Sequence, residues 1–288
     1  MYDFFNLVKR NILTFLRDKA AVFFSLLSVI ILLALYFLFI GEQYRSGIGE
    51  SIDNNIKIFL STSVIMGGVL VINTVSLSLG VMGNIINDQQ LNKMDAFLVT
   101  PVKRYKIILA YYVTGIIVTG LLTWLMWWLT VIYVGLFSGY WYTLPTILEV
   151  MLVLLFFTFI SSTLMIFLTT LIKSVNAFGA MSGVLGTFIG FVSGIYIPIV
   201  VFETPMKYVA SIMPFTHMTI WLKNVILREP YALIPIEAVE QIEFAYGTYE
   251  LGVFGQSVSM GLIMVVISML SFGLLYLAYR TLNNKLHK

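Results

Sequence analysis

What limits this chain most is the length of its stretches without a single Lys, Arg, Asp or Glu. Ala20–Ile40 is 21 residues long, residues 58–87 make 30, and Ile107–Leu148 makes 42. A bilayer's hydrocarbon core is about 30 Å thick and takes about 20 apolar residues as a helix. Inside it every backbone N–H and C=O must be satisfied within the protein, which a helix does alone. Over the whole chain, 59% of residues are hydrophobic and 11% charged, with a mean hydropathy of +0.95. Soluble domains are about 25% charged. The sequence therefore predicts an all-α polytopic membrane protein. A secretory apolar region is about 7–15 residues and ends at a small-residue cleavage site. Ala20–Ile40 is longer and has no such site, so it reads as a retained first span.

Polar breaks divide the rest. Residues 41–57 read as a loop and 58–87 as a second span with an extra turn. Gly135, Ser138, Gly139 and Pro145, with Tyr140, Trp141 and Tyr142, mark a wet exit, so the third span ends near Val134. The fourth runs about Ile147–Ile172, followed by a tight turn over Lys173–Asn176, and the fifth covers about 177–200. Residues 203–250 form a long polar excursion, and the sixth span covers about 253–279. The reading is one membrane domain over 1–288, with 1–19 ahead of the first span. In that leader Phe4, Val8, Ile12 and Phe15 recur at helical spacing, while Asn6, Arg10, Thr14 and Arg17 take the other side. Such a stripe predicts an amphipathic helix in the membrane interface, its basic face in water.

Six spans put both termini on one side. The leader, residues 88–106, Lys173 and the tail hold twelve Lys/Arg and four acids; the other loops hold five Lys/Arg and ten acids. The positive-inside rule then places both termini and the 88–106 stretch in the cytoplasm, with 203–250 outside. The expected location is the cytoplasmic membrane, multi-pass.

Several kinds of chemistry are missing. With no cysteine there is no disulfide and no thiolate metal site. Proton-coupled carriers use intramembrane acids or histidines as relays, and no predicted span carries an acid or base in its core. There is no nucleophile–base pair, no His-Glu-x-x-His motif and no phosphate-binding Gly-x-x-x-x-Gly-Lys loop. The expectation is a protein with no catalytic and no metal-binding residues, no cofactor of its own and no nucleic-acid partner. Uphill transport would draw its energy from another chain.

Residues 88–106 are a polar island between two apolar runs: Asp88-Gln89-Gln90-Leu91-Asn92-Lys93-Met94-Asp95-Ala96-Phe97-Leu98-Val99-Thr100-Pro101-Val102-Lys103-Arg104-Tyr105-Lys106. Its apolar positions can anchor in a pocket while Gln89, Gln90, Asn92, Lys93 and Asp95 face the rim. Thr100 followed by Pro101 reads as N-cap and first turn of the third span. A second motif follows the fifth span: Ser193-Gly194-Ile195-Tyr196-Ile197-Pro198, then Thr204-Pro205, then Met213-Pro214-Phe215-Thr216-His217 running to Arg228. Two short helices broken at Pro214 are expected there, with Tyr208 and Trp221 as interfacial anchors. Trp124, Trp127 and Trp128 lie about 31 Å along a helix counted from Lys103, the depth of an aromatic belt.

These two motifs on a six-span chain resemble the permease subunit of ABC-2-type exporters, the bacterial drug-efflux and polysaccharide-export permeases. Where the family carries Arg-Glu and then Gly, this chain has Gln89-Gln90 and Asn92, and Asn is the next-best residue for a left-handed turn. The resemblance implies a cytoplasmic ATPase partner that holds ATP and Mg, docked on a coupling helix of Asp88, Gln89, Gln90, Asn92, Lys93, Met94, Asp95 and Phe97, closed by Thr100 and Pro101. It implies a second permease chain, identical or similar, with Gly179, Gly183, Gly186 and Gly190 of the fifth span at the dimer seam or lining the transport path. It implies a re-entrant outer gate at Pro198, Pro205, Pro214, His217 and Trp221. The cargo implied is amphipathic: a drug, lipid or peptide, or a lipid-linked glycan. A membrane scaffold or sensor subunit is the reading from another class. Glu229, Glu237, Glu240, Glu243 and Glu250 are either solvated or attract a cationic cargo.

Overall fold

The computed structural model describes residues 2–35, 52–100, 102–172, 174–246 and 251–285. Its regular structure there is helical, apart from one isolated bridge between Val253 and Gln256. The leader is α1 (Tyr2–Arg17), followed by α2 (Lys19–Leu35), which reaches the edge of the described residues. Then come α3 (Asn54–Gln90), the short α4 (Lys93–Leu98), α5 (Arg104–Ser138), α6 (Leu144–Leu171) and α7 (Val175–Val192). A single 3-10 turn (Ile199–Val201) leads to α8 (Thr204–Ile212), α9 (Pro214–Tyr231), α10 (Ile236–Tyr246) and α11 (Met260–Lys285). Among the described residues α3, α5, α6, α7 and α11 are long and apolar enough to cross a membrane.

The bundle is built around α3. Its apolar residues go all round the helix, and such a helix must be buried on every side. It packs against α5, α6, α9, α2 and α7. The hydroxyl and amide groups on α3 point at partners across the bundle. Asn73 Nδ2 donates to Thr123 Oγ1 (3.2 Å), the Thr74 and Ser161 hydroxyls pair at 2.9 Å, and those of Ser78 and Ser162 at 3.0 Å. Lipid is as apolar as Leu, so hydrophobicity does not hold membrane helices together; close packing and bonds of this kind do. At 37 residues α3 is about 55 Å long. That exceeds the hydrocarbon thickness by several turns.

The expected span limits shift in four places. The second runs to Gln90, because no residue before Leu91-Asn92 breaks it. The third continues past Val134 to Ser138 and stops at Gly139 (φ 74), a left-handed residue. The fifth ends at Val192, where Ser193 and Gly194 (φ 71) turn the chain, eight residues short of 200. The sixth starts at Met260 and reaches Lys285. The aromatic-belt reading fits Trp128 alone, which is exposed. Trp127 is fully buried beside Tyr142 and its Nε1 donates to the Ile147 carbonyl, while Trp124 Nε1 donates to Met151 O. Both bind α5 to α6.

Candidate functional site

The two ends of the bundle differ in chemistry. One, the basic end, carries α1 and the 88–106 stretch. There Arg10 grips Asp88 with two bonds: Nη1 to Oδ2 at 2.5 Å and Nη2 to Oδ1 at 2.9 Å. The Tyr111 hydroxyl donates to the same Oδ2 at 2.6 Å, and Arg10 Nη1 also reaches Asn11 Oδ1 at 2.9 Å. The Asp88 side chain is 3% exposed and that of Arg10 31%. The guanidinium also lies over the Phe97 ring, 5.2 Å from its centroid. One side chain thus touches α1, the end of α3, α4 and the start of α5. Its hydrogen bonds to Asp88 raise the Arg10 pKa against the opposing effect of burial, so the guanidinium stays charged. Two further bonds hold α1 down: Asn84 Nδ2 to Asn11 O, and Thr114 Oγ1 to Val8 O, each 3.4 Å.

This geometry corrects the expected arrangement of the leader. Val8 and Phe15 are buried in the bundle, Phe15 against Val81 and Val118, with Phe4 and Ile12 partly buried. Arg10 turns inward rather than to water, because a buried carboxylate waits for it; Lys9 and Arg17 stay exposed. The apolar groups free for lipid are instead Tyr2, Phe5, Leu13 and Leu16.

The coupling stretch is also rearranged. Asp88 is not offered to a partner, since Arg10 and Tyr111 enclose it. Met94, expected as an anchor for a partner's pocket, is buried in the chain's own core. Phe97 is half-buried under Arg10. Gln90 Oε1 accepts from the Val175 N–H at 3.0 Å, tying the stretch to the first turn of α7. Thr100 does not cap the third span. Its hydroxyl donates to Phe97 O at 2.6 Å, closing α4, and α5 starts later, at Arg104, with Lys103 as an N-cap that makes no side-chain bond. The left-handed turn expected at Asn92 is present, with φ 55. Leu91, Val99 and the Lys93 side chain are exposed on the resulting knob, with Gln89 partly so. Pro101, Lys173 and the Asp95 side chain lie outside the described part.

At the opposite end α8 and α9 fold back onto the bundle. Pro205 and Pro214 stand in the first turns of α8 and α9, where a missing N–H costs nothing. Pro198 precedes the 3-10 turn. Helix α9 lies along α3 at close range: a Cβ added to Gly67 would meet Lys223 Cγ at 2.6 Å and its Cα at 3.2 Å. The Lys223 ammonium donates to the Tyr246 carbonyl, at the end of α10, at 3.2 Å. Burial pushes its pKa down to about 8. Trp221 packs edge-on against Phe156 and Phe157. His217 is buried; its Nε2 donates to Ser211 O at 2.8 Å, and burial lowers its pKa. A neutral, hydrogen-bonded histidine accounts for this position.

The far end of α9 is clamped to α6. Arg228 bonds both oxygens of Glu149 (2.8 and 3.1 Å). The Glu229 carboxylate accepts from the Thr143 N–H at 3.1 Å and from its hydroxyl at 2.6 Å, at the N-terminus of α6, where a negative charge is favoured. Neither clamp was legible from sequence, because the partners are about 80 residues apart. Of the acidic segment expected outside, Glu237 and Glu240 are exposed on α10 and Glu243 partly so, while Ile242 of the same helix packs on Leu60, Val64 and Leu227. Glu250 lies outside the described residues.

Helix α7 is mostly exposed. Among the described residues, a Cβ added at Gly179, Gly183 or Gly186 would meet nothing within 4 Å, so these glycines face away from the described part of the bundle. Gly190 differs: the Tyr196 ring covers it.

The sequence profile of the family described as ABC-2 type transporter matches residues 2–227, from α1 through most of α9. No curated protein matches the chain.

Proposed function

The chain belongs to the ABC-2 type transporter family, and from that premise we propose that it moves an amphipathic cargo outward across the cytoplasmic membrane, powered by a separate ATPase. Membership makes it the membrane permease of an ABC transporter, itself without catalytic residues. The cargo class, the outward direction and the inward-facing basic end are our reading. The observation that carries it is the Arg10–Asp88 node. Force applied to the α3–α4 knob passes through Arg10 into α1 and through Tyr111 into α5, without a flexible joint between them.

In this reading the ATPase seats on Leu91, Lys93, Val99 and the Gln89–Gln90 edge, with ATP and Mg held by that partner. Helix α9, clamped by Glu149 and Glu229 and seated on Gly67, is the outer gate. The exposed glycine face of α7 pairs with a second copy or a similar chain. Purifying the solubilised chain with its associated proteins tests the core of the proposal. An ATPase that co-purifies, and is lost with Lys93→Glu/Leu91→Glu, supports it; a chain that purifies without one, under conditions that retain bound lipid, removes it. For pairing, the chain has no cysteine, so Gly183→Cys gives a clean reporter. A cross-linked dimer in native membranes is expected, and its absence moves the pairing face elsewhere.

A further inference from the structure

Outside the node and the gate, the side of the bundle formed by α6, α9 and α11 carries a groove of about 340 Å³. Phe156 of α6 and Trp221 of α9 form its floor, with Met264, Met269 and Phe272 of α11 along the wall. The rings are locked together: Phe156 and Trp221 stand 6.1 Å apart edge-on, and Phe272 lies 5.2 Å from Phe159. The Ser268 hydroxyl on its wall is bonded to the Met264 carbonyl at 2.7 Å. The lining carries no charged side chain, and apart from that hydroxyl and the Trp221 indole N–H it is apolar.

The groove is open to the outside of the bundle, and its surroundings select the occupant. It is continuous with the lipid-facing surface of α11, where Leu262, Val266, Met269 and Leu270 are exposed on a helix apolar enough to span the bilayer. Methionine side chains adapt to an irregular flexible ligand, and two line the wall. We propose that this groove binds one acyl chain of a membrane phospholipid, held against Trp221, so that the lipid forms part of the seat of α9. The inference needs α11 to cross the bilayer; it does not depend on the direction or cargo of transport.

The test uses the full chain in nanodiscs of phosphatidylcholine and phosphatidylglycerol, doped with a phospholipid carrying a diazirine on one acyl chain. Illumination followed by peptide mass spectrometry should place adducts severalfold more densely on Phe156, Trp221 and Met264 than on Leu262, Val266 and Leu270 of the same lipid-facing helix. Val265→Trp, which fills the groove from its wall, should lower the first set to the level of the second and leave the second unchanged. Ser268→Leu serves the same purpose if Val265→Trp does not fold. Even labelling of both sets, or enrichment that survives both filling variants, overturns the proposal. So does labelling by a diazirine fatty acid with none by the phospholipid.

Discussion

Asp88 and Arg10 are bonded alike but exposed very differently, and that asymmetry can be measured. Arg10→Met leaves the Asp88 carboxylate, 3% exposed, with the Tyr111 hydroxyl as its remaining partner. Stranding a buried charge in this way costs about 3–5 kcal/mol. Asp88→Ala strands Arg10 instead, which at 31% exposure can turn toward water. The loss then is the charged hydrogen bonds themselves, about 2 kcal/mol. Once Arg10 is gone, removing Asp88 also removes the uncompensated charge, so the double variant should be no worse than Arg10→Met alone. The coupling energy of the cycle is then about 2 kcal/mol, within the range for residues sharing one network. Unfolding of the purified variants in mixed detergent–SDS micelles, followed by tryptophan fluorescence, reads these differences. Equal costs for the two single variants, or a double variant whose cost is their sum, would refute the argument. The same variants reconstituted with the ATPase should lose cargo movement per ATP before they lose ATPase docking, because the exposed knob is left intact.

Three further outcomes follow from single positions. Asn92→Gly should be neutral or slightly stabilising, while Asn92→Val, forced to φ 55 with a branched side chain, should cost about 1–2 kcal/mol in the same micelle assay. Gly67→Ala should push α9 off α3, costing about 1–3 kcal/mol as overpacking, and should raise proteolysis at the end carrying α10; Gly183→Ala, which meets none of the described residues, should do neither. Lys223 has a folded pKa near 8 against an ordinary 10.5, on a helix outside the spans. Below pH 8 both folded and unfolded chains hold the proton, so the whole cost of burying it is present; between 8 and 10.5 the folded chain releases it first and stability rises with pH. The shift is worth about 3 kcal/mol, and the hydrogen bond to Tyr246 returns about 1. Lys223→Met should therefore be more stable than the natural chain by about 2 kcal/mol at pH 7, with the gain shrinking as pH rises toward 10.5. A gain that grows with pH would show that the lysine is stabilising instead.

The structure connects the two ends of the bundle through α3. At one end α3 closes with Asp88, enclosed by Arg10 and Tyr111; its 37 residues make about ten turns, more than one span needs, and the helix exceeds the hydrocarbon thickness. Its Gly67 is in close contact with α9, and its Ser63 hydroxyl pairs with Tyr142 near the α6 N-terminus at 2.6 Å. The polar pairs at Asn73, Thr74 and Ser78 fix the register of α3 against α5 and α6.

Sequence alone determined the solvent and the element type. Uncharged runs of 21 to 42 residues force helices into lipid, whatever they pack against, because a backbone without water must bond to itself. It also determined the two local breaks that need special residues: the left-handed turn at Asn92, and the helix start at Pro214. These are properties of a few adjacent residues, so they can be read in place. Which polar residues were for docking and which for holding the chain together was decided by the tertiary structure. Asp88, Arg10 and Met94 read as surface groups because their sequence neighbours are polar, but each packs against other helices, with Asp88 and Met94 buried and Arg10 partly so. Thr100 matched an N-cap pattern, yet its hydroxyl closes the helix before it. Glu149, Glu229 and Lys223 acquired their roles only when α9 folded back on α3 and α6. A charge's function depends on what lies within about 3 Å of it, and contacts across 80 residues of chain exist only once the helices have packed.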